Sequence, residues 1–414
     1  MKTFILENLD NPQQLEKYYR ENPKSFDIEF HSIYSDIKGK SVADYWFARL
    51  NYQKPDVSVI DKKEIAFVVV AAILAGFVAK LPAIFHLQED VFFQKNISFV
   101  VFPFLIAYFL WKAHRPVKGF IVPGLVVLLS AIYINVLPEA AKSDAVFLSS
   151  IHLPIVLWMV LGYAFTSRDY RDTGLRIHYL KFNGDYLVMT AVIVAAGMIF
   201  TGITVGLFSM IKIDIKEFYF NYVFIWGSAS VPLVSVYLLQ NNPTIVNKVS
   251  PTVARIFTPL VLILLFVYLI AVVYTRKDPY NDREFLLLFN VLLIAVMAII
   301  FFSIAEASHH PRKRFHLIML LMLSFLSILV NLVALSAIGF RIMQWGISPN
   351  RLAVLGSNLL IFIHLIKVGY RLFKSIQQGT DLNDIQQEMV SYLPIYGVWA
   401  IFVVFFFPLI FGVH

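Results

Sequence analysis

EIAFVVVAAILAGFVAKLPAIFH, residues 64–86, is the stretch that decides the fold. Wound as a helix at about 1.5 Å per residue, a run of this length crosses the roughly 30 Å hydrocarbon core of a bilayer. Hydrocarbon offers no partner to a backbone N–H or C=O, so such a run must satisfy its own backbone as a helix. Runs of about twenty such residues recur about eleven times from here to the C-terminus. The expected spans are 64–86, 97–112, 118–138, 145–166, 185–211, 216–240, 254–275, 281–305, 315–339, 349–374 and 391–412, the second being the shortest. The chain therefore reads as all-α: a polytopic transmembrane helix bundle over 64–414, preceded by a small helical cap over 1–63.

Composition points the same way. Apolar residues make up 58% of the chain and charged residues 15%, where a soluble domain carries about a quarter charged. Mean hydropathy is +0.70. The formal charge of +8 is assigned to Lys and Arg retained in cytoplasmic loops rather than to nucleic-acid binding. With no cysteine, a disulfide framework, a thiolate metal site and a cysteine nucleophile are all excluded. Residues 1–63 lack the basic-then-apolar layout of a cleavable signal, so the first span is expected to direct insertion. Of the 35 Lys and Arg, 25 fall on the side of the bundle that holds the N-terminus and nine on the other, with Lys80 inside the first span. That asymmetry predicts a cytoplasmic N-terminus and a C-terminus outside.

The cap shows helical signals. Asn11 and Pro12 suit an N-cap and a first helical residue. Phe26, Phe30, Ile33, Tyr34 and Ile37 recur at helical spacing. Ser41 and Asp44 resemble a capping box ahead of Val42, Tyr45, Trp46 and Leu50. Nothing in it resembles a catalytic or nucleotide motif, so it reads as a structural cap that leans on the membrane domain or on a protein partner. A second amphipathic segment, with Leu382, Ile385 and Met389, is expected to lie along the inner surface.

Polar groups at membrane depth carry the functional expectations. In Phe224-Ile-Trp-Gly-Ser-Ala-Ser-Val-Pro232, the proline frees a carbonyl one turn earlier. Ser228 and Ser230 either re-satisfy the helix or hold a substrate at a broken segment. Gly202 and Gly206 on the preceding span suit close helix packing. His364, Lys367, Arg371 and Lys374 form one stripe. The last two cations can snorkel to headgroups, whereas His364 either bonds a neighbouring helix or lines a path for protons or an anion. Asn290, Asn331 and Asn358 are expected to bond between helices. Glu306, His309 and His310 have metal-ligand spacing, but three adjacent cations oppose a metal, so neither a metal nor a cofactor is expected.

On the outer side, Arg283, Arg341 and Arg351 border two loops. Ser348 and Pro349 open a helix whose free N–H groups, with Asn350 and Arg351, suit a phosphate or carboxylate. The alternative is that the arginines pair with Asp278, Asp282 and Glu284 and simply join loops. The run Trp345-Gly-Ile-Ser-Pro-Asn-Arg351 resembles the aromatic-Gly-Leu/Ile-Thr/Ser-x-Asn-Arg signature of a bacterial membrane family labelled domain of unknown function 4153. Trp and Ser stand here for the more usual Tyr and Thr. Leu15, Tyr19, Asn22-Pro23 and Tyr45-Trp46-Phe47 extend the resemblance into the cap. It implies a bacterial inner-membrane protein, without an activity or substrate.

Three function classes remain. One is a transporter or flippase-like protein for an anionic or lipid-linked substrate, with Ser228, Pro232, His364, Arg283, Arg341, Ser348, Asn350 and Arg351 as its site. The second is a membrane scaffold or assembly subunit binding partner proteins. The third is a membrane-embedded transferase using the Glu89-Asp90 loop or His364. Membrane lipids, an anionic lipid or a lipid-linked glycan are the expected ligands.

Overall fold

The computed structural model describes residues 2–50, 61–139, 143–166, 170–241, 256–270, 274, 280, 283–305, 314–378 and 382–413. The chain divides into two compact units, Met1–Ile65 and Ala66–His414.

The first unit holds four helices, α1 (Lys2–Glu7), α2 (Pro12–Glu21), α3 (Pro23–Ile37) and α4 (Ser41–Leu50). Asn11 caps α2, its side chain accepting from Gln14 N–H. Phe26 is the hub: fully buried, it meets Tyr18, Tyr19, Phe30 and Trp46 ring to ring. Tyr34 stacks on Phe47 at 3.8 Å. Asp44 departs from the capping-box expectation, in which it would reach the backbone at the helix start. It accepts instead from Gly39 N–H and from the Tyr34 hydroxyl. Gly39 has φ +93°, a left-handed conformation that an L side chain adopts only at a cost. Tyr45 faces outward, 76% exposed.

The second unit is an all-α bundle and the chain is a multi-pass membrane protein. Its helices are α5 (Lys62–Phe85), α6 (Glu89–Lys112), α7 (Lys118–Val136), α8 (Asp144–Thr166) and α9 (Thr173–Met210). They continue as α10 (Lys216–Asn241), α11 (Ile256–Ile270), α12 (Arg283–Ala305), α13 (Arg314–Trp345), α14 (Pro349–Gln378) and α15 (Leu382–Phe411). Among the described residues nine helices are long and apolar enough to cross a membrane. Two shorter apolar helices, Ile256–Ile270 and Phe289–Ala305, stand where the seventh and eighth spans are expected.

Several boundaries differ from the sequence expectation: the fifth span begins at Thr173, not 185, and two others move candidate residues. The second span begins at Glu89, not 97, so Glu89 and Asp90 form the first turn of a 24-residue helix and not a loop. Carboxylates there are favoured by the partial positive charge of the helix N-terminus. Leu382, Ile385 and Met389 do not lie along a surface. They are the opening turns of α15, and Ile385 and Met389 are buried in its core. Nothing in the intervening sequence breaks the helix before Pro394.

α8 packs against α6, α7, α9, α14 and α15, and α15 packs against α8, α9, α12 and α14. Small residues set the closest approaches. A Cβ at Gly356 would overlap the Trp399 ring, and one at Gly184 would overlap Phe302. Gly202 and Gly206 do not pack closely as expected: a Cβ at either meets nothing within 4 Å. Both glycines are exposed, while Thr201, Thr204 and Val205 of the same stretch are half-buried and Thr201 Oγ1 lies 3.2 Å from Tyr219 Oη.

In the first unit Glu16 joins α2 to α4, lying 2.8 Å from both Arg20 and Arg49. The hydrogen bonds from Arg20 and Arg49 hold its carboxyl below the ordinary value of 4.5. A depressed folded-state pKa contributes stability above pH 4.5, lost as the pH falls through the lower folded value. Protection factors for amide exchange in α2 and α4, taken against the intrinsic rate at each pH, are therefore expected to fall below about pH 4.5, and Glu16→Gln to remove that fall. An unchanged profile in the variant would rule out this pairing.

Candidate functional site

A polar seam runs between α14 and α15. Trp399 Nε1 donates to Ser357 Oγ (3.1 Å) and Tyr396 Oη lies 3.1 Å from His364 Nδ1. One turn further, Lys367 and Arg371 both grip Glu388 at 3.0 Å. As α14 advances from 357 to 371, its partners on α15 retreat from 399 to 388, the register of an antiparallel pair. His364 is fully buried and packed by the rings of Phe301 (4.8 Å), Tyr392 (4.5 Å) and Tyr396. Its Nε2 is buried without a hydrogen bond, although the Met389 carbonyl is among the groups around the ring. His364 thus bonds a neighbouring helix, and it also stands directly behind Tyr396 and Phe301.

Those two rings line a cavity of about 710 Å³ between α8, α9, α12, α14 and α15, with Phe257 of α11 at its edge. That size suits a drug-sized ligand, which occupies about 300–1,000 Å³. Aliphatic and aromatic side chains make up nearly all of its wall, and its rim residues Leu187, Phe257 and Ile294 are exposed at 50% or more. Five polar groups stand out in the wall. Trp158 Nε1 donates to Asn183 Oδ1 at 2.9 Å. Ser357 accepts from Trp399 and Tyr396 is bonded to His364, as above. His152 Nδ1 lies 2.9 Å from the Leu148 carbonyl. A carbonyl can only accept, so Nδ1 carries the proton and Nε2 of the neutral ring is an acceptor. Among the described residues, no carboxylate lines the cavity. The arrangement is one for holding an apolar chain at a few polar anchors.

The expected site residues separate into three places. Ser228 and Ser230 turn back on their own helix, donating to the carbonyls of Phe224 and Gly227. Neither reaches the carbonyl that Pro232 frees. Residues Tyr219–Phe224 just before them are wound as a π-helix. This segment lies outside the cavity wall.

Arg341 and Arg351 do come together, on either side of Trp345, at 6.0 and 5.7 Å from its ring. Arg341 Nε donates to the Tyr280 carbonyl, and Arg351 Nη1 to the Trp345 and Gly346 carbonyls, all at 2.8 Å. Gly346 has φ +75°, the left-handed residue that ends α13. Ser348 Oγ accepts from Arg351 N–H and Pro349 is the first residue of α14. Asn350 sits half-buried in that first turn. Residues 345–351 thus form a stapled turn between two helices, with the guanidinium groups directed at backbone carbonyls. Arg283 opens α12; its side chain, like Asp278, Asp282, Glu284, Glu306, His309 and His310, lies outside the described residues.

The asparagines bond between helices: Asn358 Nδ2 donates to Asn290 Oδ1 (2.8 Å), and Asn331 Nδ2 to the Asn358 carbonyl (3.0 Å). Sequence reasoning passed over His152, Asn183 and Tyr396. His152 carries the same signal as His364, an imidazole inside an apolar run. Tyr396 could be found only once its partner was known.

No family model, no curated protein and no solved structure matches this chain.

Tyr396→Phe leaves His364 Nδ1 buried without a partner, at an expected cost of about 1–3 kcal/mol. His364→Phe with Tyr396→Phe removes both polar ends and is expected to recover most of it. Thermal unfolding of the single and double variants in detergent measures the difference, and strictly additive losses would contradict this coupling.

Proposed function

We propose that this protein is a transporter or flippase-like protein that admits an amphipathic substrate, an anionic or lipid-linked molecule, sideways from the bilayer. The observation that carries this reading is the cavity of about 710 Å³, apolar in nearly all its wall and rimmed by exposed Leu187, Phe257 and Ile294. A carrier of small polar solutes needs hydrogen-bonding groups to replace the water its substrate sheds. Here those groups are few, and Ser357 and Tyr396 are already bonded to Trp399 and His364. A sealed structural bundle would instead be packed through its interior to near-crystalline density.

The reading places the protein in a bacterial inner membrane, with the cap in the cytoplasm and the C-terminus outside. The excess of Lys and Arg on the N-terminal side supports that orientation. Kinship with the 4153 family belongs to the same proposal, supported by the stapled turn that Trp345–Arg351 forms. One observation favours a second reading, that of a scaffold. The face of α9 carrying Gly202 and Gly206 is exposed, with nothing within 4 Å of a Cβ at either, a surface that a partner helix could cover.

Ala298 and Ala191 both line the cavity and are exposed to it. Replacing either with Trp fills the space without removing a polar contact. In reconstituted vesicles carrying tail-labelled phosphatidylglycerol, the wild type is expected to speed transfer between leaflets. Ala298→Trp is expected to return the rate to that of protein-free vesicles. Wild-type transfer equal to the protein-free rate, or full transfer by the filled variant, would refute the proposal.

A further inference from the structure

We infer that the cavity is the tail half of a bipartite site, and that its head half is a cationic slot at Arg176 which selects an anionic lipid headgroup. The inference rests on the lateral-entry reading above and adds the class and the orientation of the ligand.

A second cavity, of about 250 Å³, lies where the end of α8 meets the start of α9 and the first turns of α15. Trp158 and Leu393 line both cavities. The two spaces are therefore neighbours across the same pair of side chains. The indole is held in place by its bond to Asn183, and Tyr179 donates to the Trp158 carbonyl at 2.8 Å. Gly162 makes room for that tyrosine: a Cβ there would stand 2.9 Å from the ring. The wall between head and tail spaces is thus a fixed aromatic pair beside one flexible leucine.

The smaller space has a polar end that the larger one lacks. Its lining includes Thr166, Tyr170 and Arg176. Thr166 and Tyr179 spend their hydroxyl protons on the protein, donating to the Gly162 and Trp158 carbonyls. Arg176 does not. Its Nε donates to the Tyr170 carbonyl at 2.8 Å, which fixes the plane of the guanidinium. The two terminal nitrogens have no partner among the described residues, and no described carboxylate pairs with them. Asp172, the carboxylate one turn earlier, is already committed to the N–H groups of Gly174 and Leu175. A half-buried, oriented guanidinium with free donors matches the oxygens of a phosphate or carboxylate. The adjoining space, apolar in nearly all its wall and without a described charged side chain, suits an acyl or isoprenyl chain.

The position fits a lipid lying along the bundle. The antiparallel packing of α8 on α15 sets Ser149 Oγ against the Val404 carbonyl and Met159 against Gly397. The end of α8 therefore shares one end of the bundle with the beginning of α15. That end also carries Lys367, Arg371 and Glu388, so it is the polar end expected at headgroup depth. A ligand with its anion at Arg176 would run its chain past Trp158 and Leu393 into the apolar space.

The test uses the full chain in nanodiscs of equal phosphatidylglycerol and phosphatidylcholine, with retained lipid read by native mass spectrometry. Wild-type protein is expected to retain the anionic lipid preferentially. Arg176→Gln is expected to lower that preference about tenfold, since a charge-assisted contact of ordinary strength is worth about that factor. Arg176→Lys keeps the cation and is expected to restore part of it, separating charge from folding. Ala298→Trp is expected to reduce retention of both lipids. If Ala298→Trp acts but Arg176→Gln leaves the preference unchanged, the headgroup assignment fails and the lateral-entry reading survives. If Ala298→Trp leaves retention unchanged, the chain assignment fails as well. Inorganic phosphate added to the same particles is expected to leave the lipid bound. Displacement by phosphate alone would mark a free-anion site and overturn the proposal.

Discussion

Hydrocarbon cannot hydrogen-bond, and the bundle is organised by how it meets that constraint. Several buried polar side chains turn back to a carbonyl of their own helix, as Ser150, Ser324 and Ser327 do. Ser149 goes further, bonding both its own helix and the Val404 carbonyl across the α8–α15 contact. Where two polar side chains must share the interior they pair, as Asn358 does with Asn290 and Thr190 with Ser235. Each pairing fixes the rotation of one helix against another, because an unpaired polar group in this medium costs far more than the pair gains. The exceptions are therefore informative. His364 Nε2 and Asn331 Oδ1 are buried without partners, and both residues belong to the α13–α14–α15 side that backs the larger cavity.

The cavity follows from the same packing. Close approaches occur where glycine allows a large ring to sit against a backbone, at Gly356 with Trp399 and at Gly184 with Phe302. Those rings hold α14 against α15 and α12 against α9, while the helices between them stay apart. Trp399 and Phe302 also line the space that results. The residues that close the helix contacts thus shape the void, and the void is apolar because the helices are. A chain-like ligand can enter such a space without shedding a hydration shell. That difference, rather than any single residue, separates a lipid-handling reading from one for polar solutes.

The membrane-spanning architecture was legible in the sequence because hydropathy at the scale of a bilayer is a strong signal. Helix ends were not, since a helix continues past hydrocarbon wherever its sequence permits. Glu89 and Asp90 read as loop, and Leu382–Met389 as a surface segment, for that reason. In the site, His364 was visible as an imidazole in an apolar run. Its partner Tyr396 was not, because tyrosines are common in these helices and only tertiary register matches 364 with 396. The Arg341–Arg351 signature was visible as a cluster of cations beside a helix start. What the sequence could not show was that both guanidinium groups lie over the Trp345 ring and donate to backbone carbonyls. A cavity leaves no residue pattern at all: it is a shape set by which helices fail to touch.

The central claim is that the space between α9 and α12 is open to lipid and closed to water. The absence of cysteine from the chain makes a single nitroxide label at Ala298→Cys the most direct probe. In liposomes the label is expected to collide freely with dissolved oxygen, which concentrates in hydrocarbon, and to be shielded from a water-soluble nickel chelate. Strong relaxation by the nickel chelate, or shielding from both reagents, would contradict the account.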